Sequence, residues 1–284
     1  MARSETLTRT AVAAVGIPLA VAAMYLGGWV LAALLAGCAV LSALELFRMA
    51  AVKGPRALEW IGAGGAAALV LAAGLDPRHA LDTPVFGAIT VAVLLLALTA
   101  AIWTRGVQGD PLLSVAVTFL GAVWPATLAF ALFLRHLPEV ETPLHGTVIL
   151  LAPVVLTWLN DSYAYFAGRA WGKKKLIPKV SPGKTVAGAV GALTGTILSA
   201  VGYSFVLARF PSYQMSIGEA LLFGVLISLA AQVGDLAESL LKRDVGVKDS
   251  GRLLPGHGGA LDRFDSLFFN LPLAYAFFWL VVGP

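Results

Sequence analysis

Charged residues are scarce in this sequence, and their scarcity excludes an ordinary soluble fold. Asp, Glu, Lys and Arg make up only 13% of the 284 residues, whereas 58% are hydrophobic and the mean hydropathy is +0.84. Soluble domains typically contain about 25% charged residues. This composition is typical of an integral membrane protein, in which roughly 20 consecutive apolar residues form one spanning helix.

Cysteine is almost absent as well. The one cysteine, Cys38, lies inside an apolar run, which excludes a disulfide framework within the chain. Arg3 and Arg9 precede the first apolar run, as in a signal peptide, but no small-residue cleavage site ends that run and further apolar runs follow at once. We therefore interpret the first run as a retained membrane span.

Nine apolar runs of spanning length follow one another along the chain. We predict a helix for each, because lipid offers no water to satisfy the open edge of a strand. The expected fold is an all-α polytopic membrane protein with about nine transmembrane helices. Only Gly27 and Gly28 separate the first two runs, which predicts either a tight helical hairpin or one broken helix. The runs cover 10–26, 29–50, 57–75, 84–103, 111–134, 147–169, 186–208, 218–241 and 266–282.

The distribution of basic residues predicts the orientation of these spans. With a cytoplasmic N-terminus, nine spans place all but three of the 20 Lys and Arg residues on the inside, as the positive-inside rule requires. The two long polar connectors, 170–185 and 242–265, then lie on the cytoplasmic side. Because polar connectors and intramembrane acids concentrate in the second half, we predict an N-terminal scaffold, 1–146, and a C-terminal catalytic half, 147–284.

Acidic side chains lie inside two apolar runs of the second half. A carboxylate at bilayer depth costs on the order of 3 kcal/mol, so it indicates a functional site; an ion pair that only holds two helices together is the alternative. Helical spacing brings further polar side chains onto the same face as these acids. One face carries Asp161, Tyr165 and Arg169, and the other carries Asp235, Glu238, Ser239 and Lys242.

The connector 170–185 ends in the segment Ser-Pro-Gly-Lys-Thr, 181–185, after which a helix is predicted to begin. A helix N-terminus presents free backbone N–H groups and a positive dipole end, which attract phosphate. Pro178 stands where a P-loop has its first glycine, so the P-loop spacing is absent. We predict a phosphate-attracting helix start around Lys184, with lipid headgroups as the alternative ligand of the neighbouring lysines.

The second connector carries the densest group of polar residues, from Ser239 to Asp265. Cations come first, then a Pro-Gly-His-Gly-Gly loop, then an Asp-Arg-Phe-Asp cluster. Glycines let the backbone approach a ligand closely, Lys and Arg pair with phosphate oxygens, and Mg²⁺ takes one or two carboxylates plus substrate phosphates. This combination is typical of phosphoryl or nucleotidyl transfer, where catalysis is mostly positioning and charge neutralisation.

The same segment resembles the long signature of the phosphatidate cytidylyltransferases, also called CDP-diacylglycerol synthases. Its spacing is matched throughout, and two upstream elements of the family, Ser-Pro-x-Lys-Thr and Gly-Asp-x-x-Glu-Ser, are matched as well. The resemblance covers about 150–270 closely. The matched residues are Ser239, Lys242, Arg243, Lys248, Asp249, Gly251, Pro255, His257, Gly258, Gly259, Asp262, Arg263, Phe264 and Asp265, with Asp161, Tyr165, Gly168, Arg169, Ser181, Pro182, Gly183, Lys184, Thr185, Gly234, Asp235 and Glu238 upstream.

The resemblance implies transfer of CMP from CTP to phosphatidate, with CDP-diacylglycerol and pyrophosphate as products. It also implies dependence on Mg²⁺, with a second cation left open, and a homodimer in the cell (inner) membrane with a cytoplasmic active site. CTP, phosphatidate and the bilayer are the expected partners, and no nucleic acid is expected. Two positions depart from the family: Ala187 replaces a usual acid or amide, and Ala260 replaces a large apolar residue.

Roles for single residues follow from the implied direct attack of the lipid phosphate on the α-phosphorus of CTP. Asp235 and Asp262 are the expected metal ligands, with Asp249 as a further candidate. The expected catalytic residues are Asp235, Asp262, Lys242, His257 and Asp265. The expected substrate-binding residues are Asp161, Tyr165, Arg169, Ser181, Lys184, Thr185, Glu238, Ser239, Arg243, Lys248, Asp249, Gly258, Gly259 and Arg263.

Two rival functions remain open from sequence. A CTP-dependent transferase acting on another lipid, such as an archaeal ether lipid or a polyprenol, would need the same nucleotide chemistry. A cation-coupled transporter also uses intramembrane acids, but it has no need of the long connector rich in cations and glycines.

The metal assignment makes a direct prediction. Asp235→Asn or Asp262→Asn should abolish turnover of CTP and phosphatidate in Mg²⁺ while the purified protein still folds in detergent, because each variant removes one negative ligand. Radiolabelled CTP incorporation into lipid measures turnover. Near-normal turnover in both variants would show that the assignment is wrong.

Overall fold

The computed structural model describes residues 2–78, 83–251 and 258–283, and side chains from residue 14 onward. The predicted site residue His257 lies outside this part of the chain. Nearly all of the described chain is helical, with one short hairpin. The helices are α1 (Ala2–Leu26), α2 (Gly28–Ala51), α3 (Glu59–Leu75), α4 (Val85–Thr104), α5 (Pro111–Ala126), a 3₁₀ turn (Thr127–Ala129), α6 (Phe130–Arg135), α7 (Pro143–Trp171), α8 (Val186–Leu207), α9 (Ile217–Asp244), α10 (Leu261–Phe264), α11 (Leu267–Phe277) and a π-helical segment (Phe278–Val282).

Seven helical segments in the described part of the chain are long and apolar enough to cross a membrane. Two shorter apolar helices, Ala14–Leu26 and Glu59–Leu75, coincide with the two remaining apolar runs. The prediction of an all-α polytopic membrane protein is therefore confirmed. The count of nine spans and the cytoplasmic N-terminus stay predictions.

The boundary between the first two helices falls at the glycine pair. Gly27 has φ 61° and ψ −150°, and Gly28 has φ 48°. Both φ angles are positive, which glycine adopts without the steric penalty that a Cβ atom brings. The backbone turns there, so α1 and α2 are separate elements.

The chain divides into two compact units that do not follow sequence order. The first unit comprises Met1–Phe133 and Asp244–Phe264, and the second comprises Leu134–Arg243 and Asp265–Pro284. Most of the second polar connector thus belongs with the N-terminal helices. The predicted scaffold and catalytic halves divide the chain differently, and their roles stay predictions.

In the first unit, α2, α3 and α5 pack against one another through a large side chain set among glycines. The ring of Phe47 on α2 is buried. A Cβ atom at Gly62 of α3 or Gly121 of α5 would collide with this ring. Helix α10 also contacts α2, which brings one end of the polar connector against that helix.

In the second unit, α7 and α8 lie side by side and make the most extensive helix contact of the structure as described. Small residues allow this approach, as is common between membrane helices. A Cβ atom at Gly188 would lie 2.8 Å from the carbonyl oxygen of Ala164, and one at Gly191 would collide with the side chain of Ala167. The two helices therefore pack closely against each other at these small residues.

A β-hairpin joins these two helices, which the sequence did not predict. Strand β1 (Lys175–Ile177) pairs antiparallel with β2 (Ser181–Thr185), with Lys175 opposite Thr185. Helix α8 begins directly after β2, as predicted, with Thr185 as its N-cap. The hydroxyl oxygen of Thr185 accepts a hydrogen bond from the backbone N–H of Gly188 at 3.1 Å, which satisfies one of the orphan donors at the helix start.

The α7–α8 contact predicts a difference between two glycines of the same helix. Gly191→Ala should lower the apparent melting temperature in detergent, because its new methyl group overlaps Ala167; overpacking of this kind costs about 1–3 kcal/mol. Gly202→Ala, where a Cβ atom meets nothing within 4 Å, should leave the melting temperature unchanged or raise it, since Ala favours a helix interior by about 1 kcal/mol over Gly. Equal stability of the two variants would contradict this packing.

Candidate functional site

A cavity of about 470 Å³ lies within the second unit, bounded by α7, the hairpin, the start of α8 and α9. Cationic side chains come from the hairpin and from the exposed end of α7. Carboxylates come from the middle of α7 and from α9, and amides form the buried end. Among the residues predicted from sequence, the cavity is lined by Asp161, Tyr165, Arg169, Lys184, Thr185 and Asp235.

An ion pair spans this cavity. Lys184 Nζ lies 2.8 Å from Asp235 Oδ2, and their side chains are 25% and 36% exposed. The hydroxyl of Ser239 donates to Asp235 Oδ1 at 3.2 Å. A pair with this exposure contributes only about 0–1 kcal/mol to stability, so an anion that binds Lys184 can separate it from Asp235 at little cost.

Arg169 is oriented by the neighbouring turn of α7. Its guanidinium Nη1 donates to the hydroxyl of Tyr165 at 3.1 Å, as their i, i+4 spacing allows. Both side chains remain exposed. The exposed end of the cavity therefore carries a guanidinium and an ammonium that suit phosphate oxygens.

A third carboxylate, Asp265, lies near the cavity acids. Its charge interacts with those of Asp235 and Asp161. The backbone of α9 approaches the backbone of Asp265 closely because residue 234 is a glycine. A Cβ atom at Gly234 would lie 2.7 Å from the carbonyl oxygen of Asp265. Three carboxylates from α7, α9 and the chain just before α11 thus concentrate negative charge in the second unit.

This group of acids fits a divalent cation that also binds substrate. Oxygen ligands suit Mg²⁺, which usually takes one or two carboxylates and fills its other positions with water and substrate phosphate. In the described part of the chain, no three His, Cys, Asp or Glu side chains are grouped to enclose a metal ion by themselves. Asp161 and Asp235 both line the cavity, so a divalent cation there would take its other ligands from water and substrate phosphate.

Glu238 and Lys242 form a second ion pair, one turn apart on α9. The Glu238 side chain is only 1% exposed and that of Lys242 12%. Taking both charges out of water is costly, and removal of one partner alone leaves a buried charge that destabilises the protein by about 3–5 kcal/mol. This pair lies outside the cavity lining, and both residues belong to α9, so it neutralises a buried charge within that helix.

In the first unit, the polar connector is fastened by a residue that the sequence reasoning missed. Glu45 of α2 is 3% exposed. Its carboxylate accepts hydrogen bonds from the Ser250 hydroxyl at 2.8 Å and from the backbone N–H groups of Ala260 and Leu261, both at 2.9 Å. A lone glutamate in the apolar run 29–50 was a signal of the same kind as Asp161.

The glycines of the signature make room for this carboxylate. A Cβ atom at Gly251 would lie 2.5 Å from Glu45 Oε1, and one at Gly259 would collide with Oε2. Asp262 closes the same turn, since its carboxylate accepts from the backbone N–H of Gly259 at 2.8 Å and of Ser250 at 3.0 Å. In the described structure, Glu45 and Asp262 thus accept hydrogen bonds from the signature segment at Ser250 and at 259–261.

Other predicted residues do not line the cavity. Asp262 and Asp249 belong to the first unit, so a metal site formed by them with Asp235 stays a prediction. Ser181 lies in β2, opposite Ile177. The side chains of Arg243, Lys248, Asp249 and Arg263 are exposed.

The chain matches the Cytidylyltransferase family over residues 7–281, and it therefore belongs to this family. It is similar to the phosphatidate cytidylyltransferase of Haemophilus influenzae, with 39% identity over 189 residues that cover 65% of this chain and 62% of the relative. The phosphatidate cytidylyltransferase of Staphylococcus haemolyticus is 34% identical over 202 residues, which cover 66% and 76%. Uncharacterized protein YnbB of Escherichia coli is 39% identical over 173 residues, which cover 60% and 56%.

The matched segments thus span only part of these relatives, in the first case less than two thirds of its length. The resemblance to the phosphatidate cytidylyltransferases that the sequence motifs indicated is confirmed at the level of the family. Membership in a cytidylyltransferase family also argues against the transporter alternative.

The Glu45 contacts predict a stability effect. Glu45→Gln places an amide NH₂ against groups that are themselves donors, so at least one of the three hydrogen bonds is lost. Since hydrogen bonds to charged groups contribute about 1.5–3 kcal/mol, we expect a lower apparent melting temperature in detergent. Glu59→Gln, at an exposed position of α3, is the matched control and should melt with the unmodified protein. The same result for Glu45→Gln would mean that this carboxylate does not hold the connector.

Proposed function

We propose that this protein transfers CMP from CTP to phosphatidate, which gives CDP-diacylglycerol and pyrophosphate. The observation that carries the proposal is the cavity in which Lys184 meets Asp235 at the start of α8. Cations that suit a triphosphate and carboxylates that suit a divalent cation line one cavity. The family and the names of two similar proteins support the same chemistry.

The proposed reaction is a direct displacement. An oxygen of the phosphatidate phosphate attacks the α-phosphorus of CTP, a new P–O bond forms, and the bond from the α-phosphorus to the oxygen that bridges it to the β-phosphorus breaks. The second pKa of a phosphate monoester is about 6, so the attacking oxygen is already deprotonated at neutral pH. No general base is needed, and the role of the protein is to position and neutralise charge.

The chain's own side chains divide this work. Lys184 leaves Asp235 and pairs with the outer phosphates of CTP, so that the leaving pyrophosphate is neutralised where the cavity is exposed. Arg169, held by Tyr165, pairs with a second phosphate. Asp161 and Asp235 would hold Mg²⁺, which would stabilise charge on the reacting phosphates, and Asp265 completes the negative cluster.

The proposed setting is the cytoplasmic side of the cell (inner) membrane. The excess of basic residues on one side of the predicted spans supports this orientation. Phosphatidate is insoluble in water and would reach the cavity from the bilayer. A homodimer and a second cation are proposed from the family resemblance alone.

The runner-up is a cytidylyltransferase that acts on another lipid phosphate. The cavity side chains bind phosphates and do not select acyl chains, so they are compatible with both acceptors. Comparison of phosphatidate with a polyprenyl phosphate and an ether-lipid phosphate as acceptors separates the two readings.

The ion pair predicts the effect of Lys184 on catalysis. Lys184→Met should lower kcat/KM for CTP about 10- to 100-fold, because a charge-assisted contact to phosphate is worth about 1.5–3 kcal/mol and 1.36 kcal/mol is a factor of ten. The measurement is CTP incorporation into phosphatidate in mixed micelles with Mg²⁺. Lys179→Met, at an exposed position in the hairpin turn, is the control and should retain activity. If the unmodified protein forms no CDP-lipid, the proposed function is wrong; if Lys184→Met matches Lys179→Met, the cavity is not where CTP reacts.

A further inference from the structure

Two amide side chains form the buried end of the cavity, and a hydrogen-bond relay fixes the direction in which each faces. Gln232 Nε2 donates to Ser228 Oγ at 3.1 Å, and Ser228 Oγ donates to Asn160 Oδ1 at 2.7 Å. Thr196 Oγ1 also donates to Asn160 Oδ1, at 3.3 Å, and Gln232 Nε2 lies 3.4 Å from the carbonyl oxygen of Ala189. The nitrogen of one amide and the oxygen of the other are therefore engaged by the protein.

This relay determines what the amides offer to a ligand. A side-chain amide has a carbonyl acceptor and an NH₂ group with two donors. Because the oxygen of Asn160 and the nitrogen of Gln232 are engaged, the NH₂ group of Asn160 and the oxygen of Gln232 remain. Neither makes a hydrogen bond within the part of the chain that the structure describes, and both residues line the cavity. The buried end thus presents a donor beside an acceptor.

A phosphate does not suit this pair. Its oxygens only accept hydrogen bonds at neutral pH, so the Gln232 oxygen would face them unfavourably. The pair suits a planar group that has a donor next to an acceptor, as cytosine has in its amino group N4 and ring nitrogen N3. Held in the same register, uracil has the reverse order, because O4 is an acceptor and N3 carries a proton; it meets both amides only if the base shifts by one position, so that N3–H and O2 replace N4–H and N3.

We propose that Asn160 and Gln232 bind the cytosine edge of the nucleotide, and so select CTP over UTP. The Gln232 oxygen accepts from the N4 amino group, and the Asn160 NH₂ group donates to N3. This inference rests on the proposed function, because it assigns the base of the same nucleotide whose phosphates were placed at the exposed end. It adds a site for the base and a reason for its identity.

The order of groups along the cavity agrees with this placement. Nine residues of α7 separate Asn160 from Arg169, which is about 13 Å along the helix axis. Asp235 follows Gln232 by three residues on α9, about 4–5 Å nearer the exposed end. A nucleotide with its base at the amides therefore has its α-phosphate near the carboxylates and its outer phosphates near Lys184 and Arg169.

Burial makes the selection effective. Asn160 is only 2% exposed, so little water can replace a missing hydrogen bond. A site built to hydrogen-bond one substrate rejects an analogue that leaves its polar groups unpaired, often by several orders of magnitude. In the same register, UTP would place its O4 against the Gln232 oxygen and its N3–H against the NH₂ group of Asn160.

The test compares CTP with UTP as substrates, in mixed micelles with phosphatidate and Mg²⁺. Gln232→Met removes the acceptor and keeps the length of the side chain. We expect kcat/KM for CTP to fall at least about tenfold and kcat/KM for UTP to fall less. The ratio of kcat/KM for CTP to kcat/KM for UTP therefore decreases, and KM for phosphatidate is unchanged. Gln214→Met, at an exposed position outside the cavity, should keep the ratio. If Gln232→Met acts on packing alone, kcat/KM will fall by the same factor for CTP and for UTP, and this result would overturn the inference.

A second measurement needs no variant. N4,N4-dimethyl-CTP has no donor at N4, so the unmodified protein should discriminate against it by at least tenfold relative to CTP; turnover at the rate of CTP would overturn the inference even if Gln232→Met fails to fold. Failure of the proposed function looks different, since the unmodified protein would then form no CDP-lipid from any of these nucleotides.

Discussion

The cost of charge in an apolar environment determines where the polar side chains of this protein lie. A carboxylate at bilayer depth costs on the order of 3 kcal/mol, so each one needs a partner or a ligand. Glu238 is paired with Lys242, and Glu45 accepts three hydrogen bonds. The acids in and near the cavity differ, because the charge of Asp265 interacts with those of Asp235 and Asp161, and Asp235 pairs with Lys184 from another element.

The presence of acids beside cations gives the cavity its chemical character. A cavity with carboxylates at its centre and cations at its exposed end suits a cation and a polyanion that bind together. In the structure, the ammonium group of Lys184 and the carboxylate of Asp235 pair with each other. When a divalent cation takes the carboxylate and a phosphate takes the ammonium, both exchange one partner for another, and neither charge is left unpaired in a medium of low dielectric constant.

Much of this could be predicted from the sequence, because the strongest signals are local. Apolar runs predict helices in lipid, and the acids of α7 and α9 stand out against them. The hairpin escaped prediction because strands of three and five residues are too short to show alternation. Glu45 was missed because its donors include two backbone N–H groups, which carry no sequence signal. The relay of Asn160, Ser228 and Gln232 could not be predicted either, since it depends on the contact between two helices, α7 and α9.

The hydrogen bond between Glu45 and Ser250 joins residues 205 positions apart, and this separation matters while the protein is being made. Helix α2 enters the membrane long before the ribosome has synthesised the donors that its glutamate requires. During that interval the carboxyl group of Glu45 lacks all three of these donors. Only synthesis of the second polar connector supplies the hydroxyl and the two N–H groups, so contacts formed late in synthesis complete a helix that was made early.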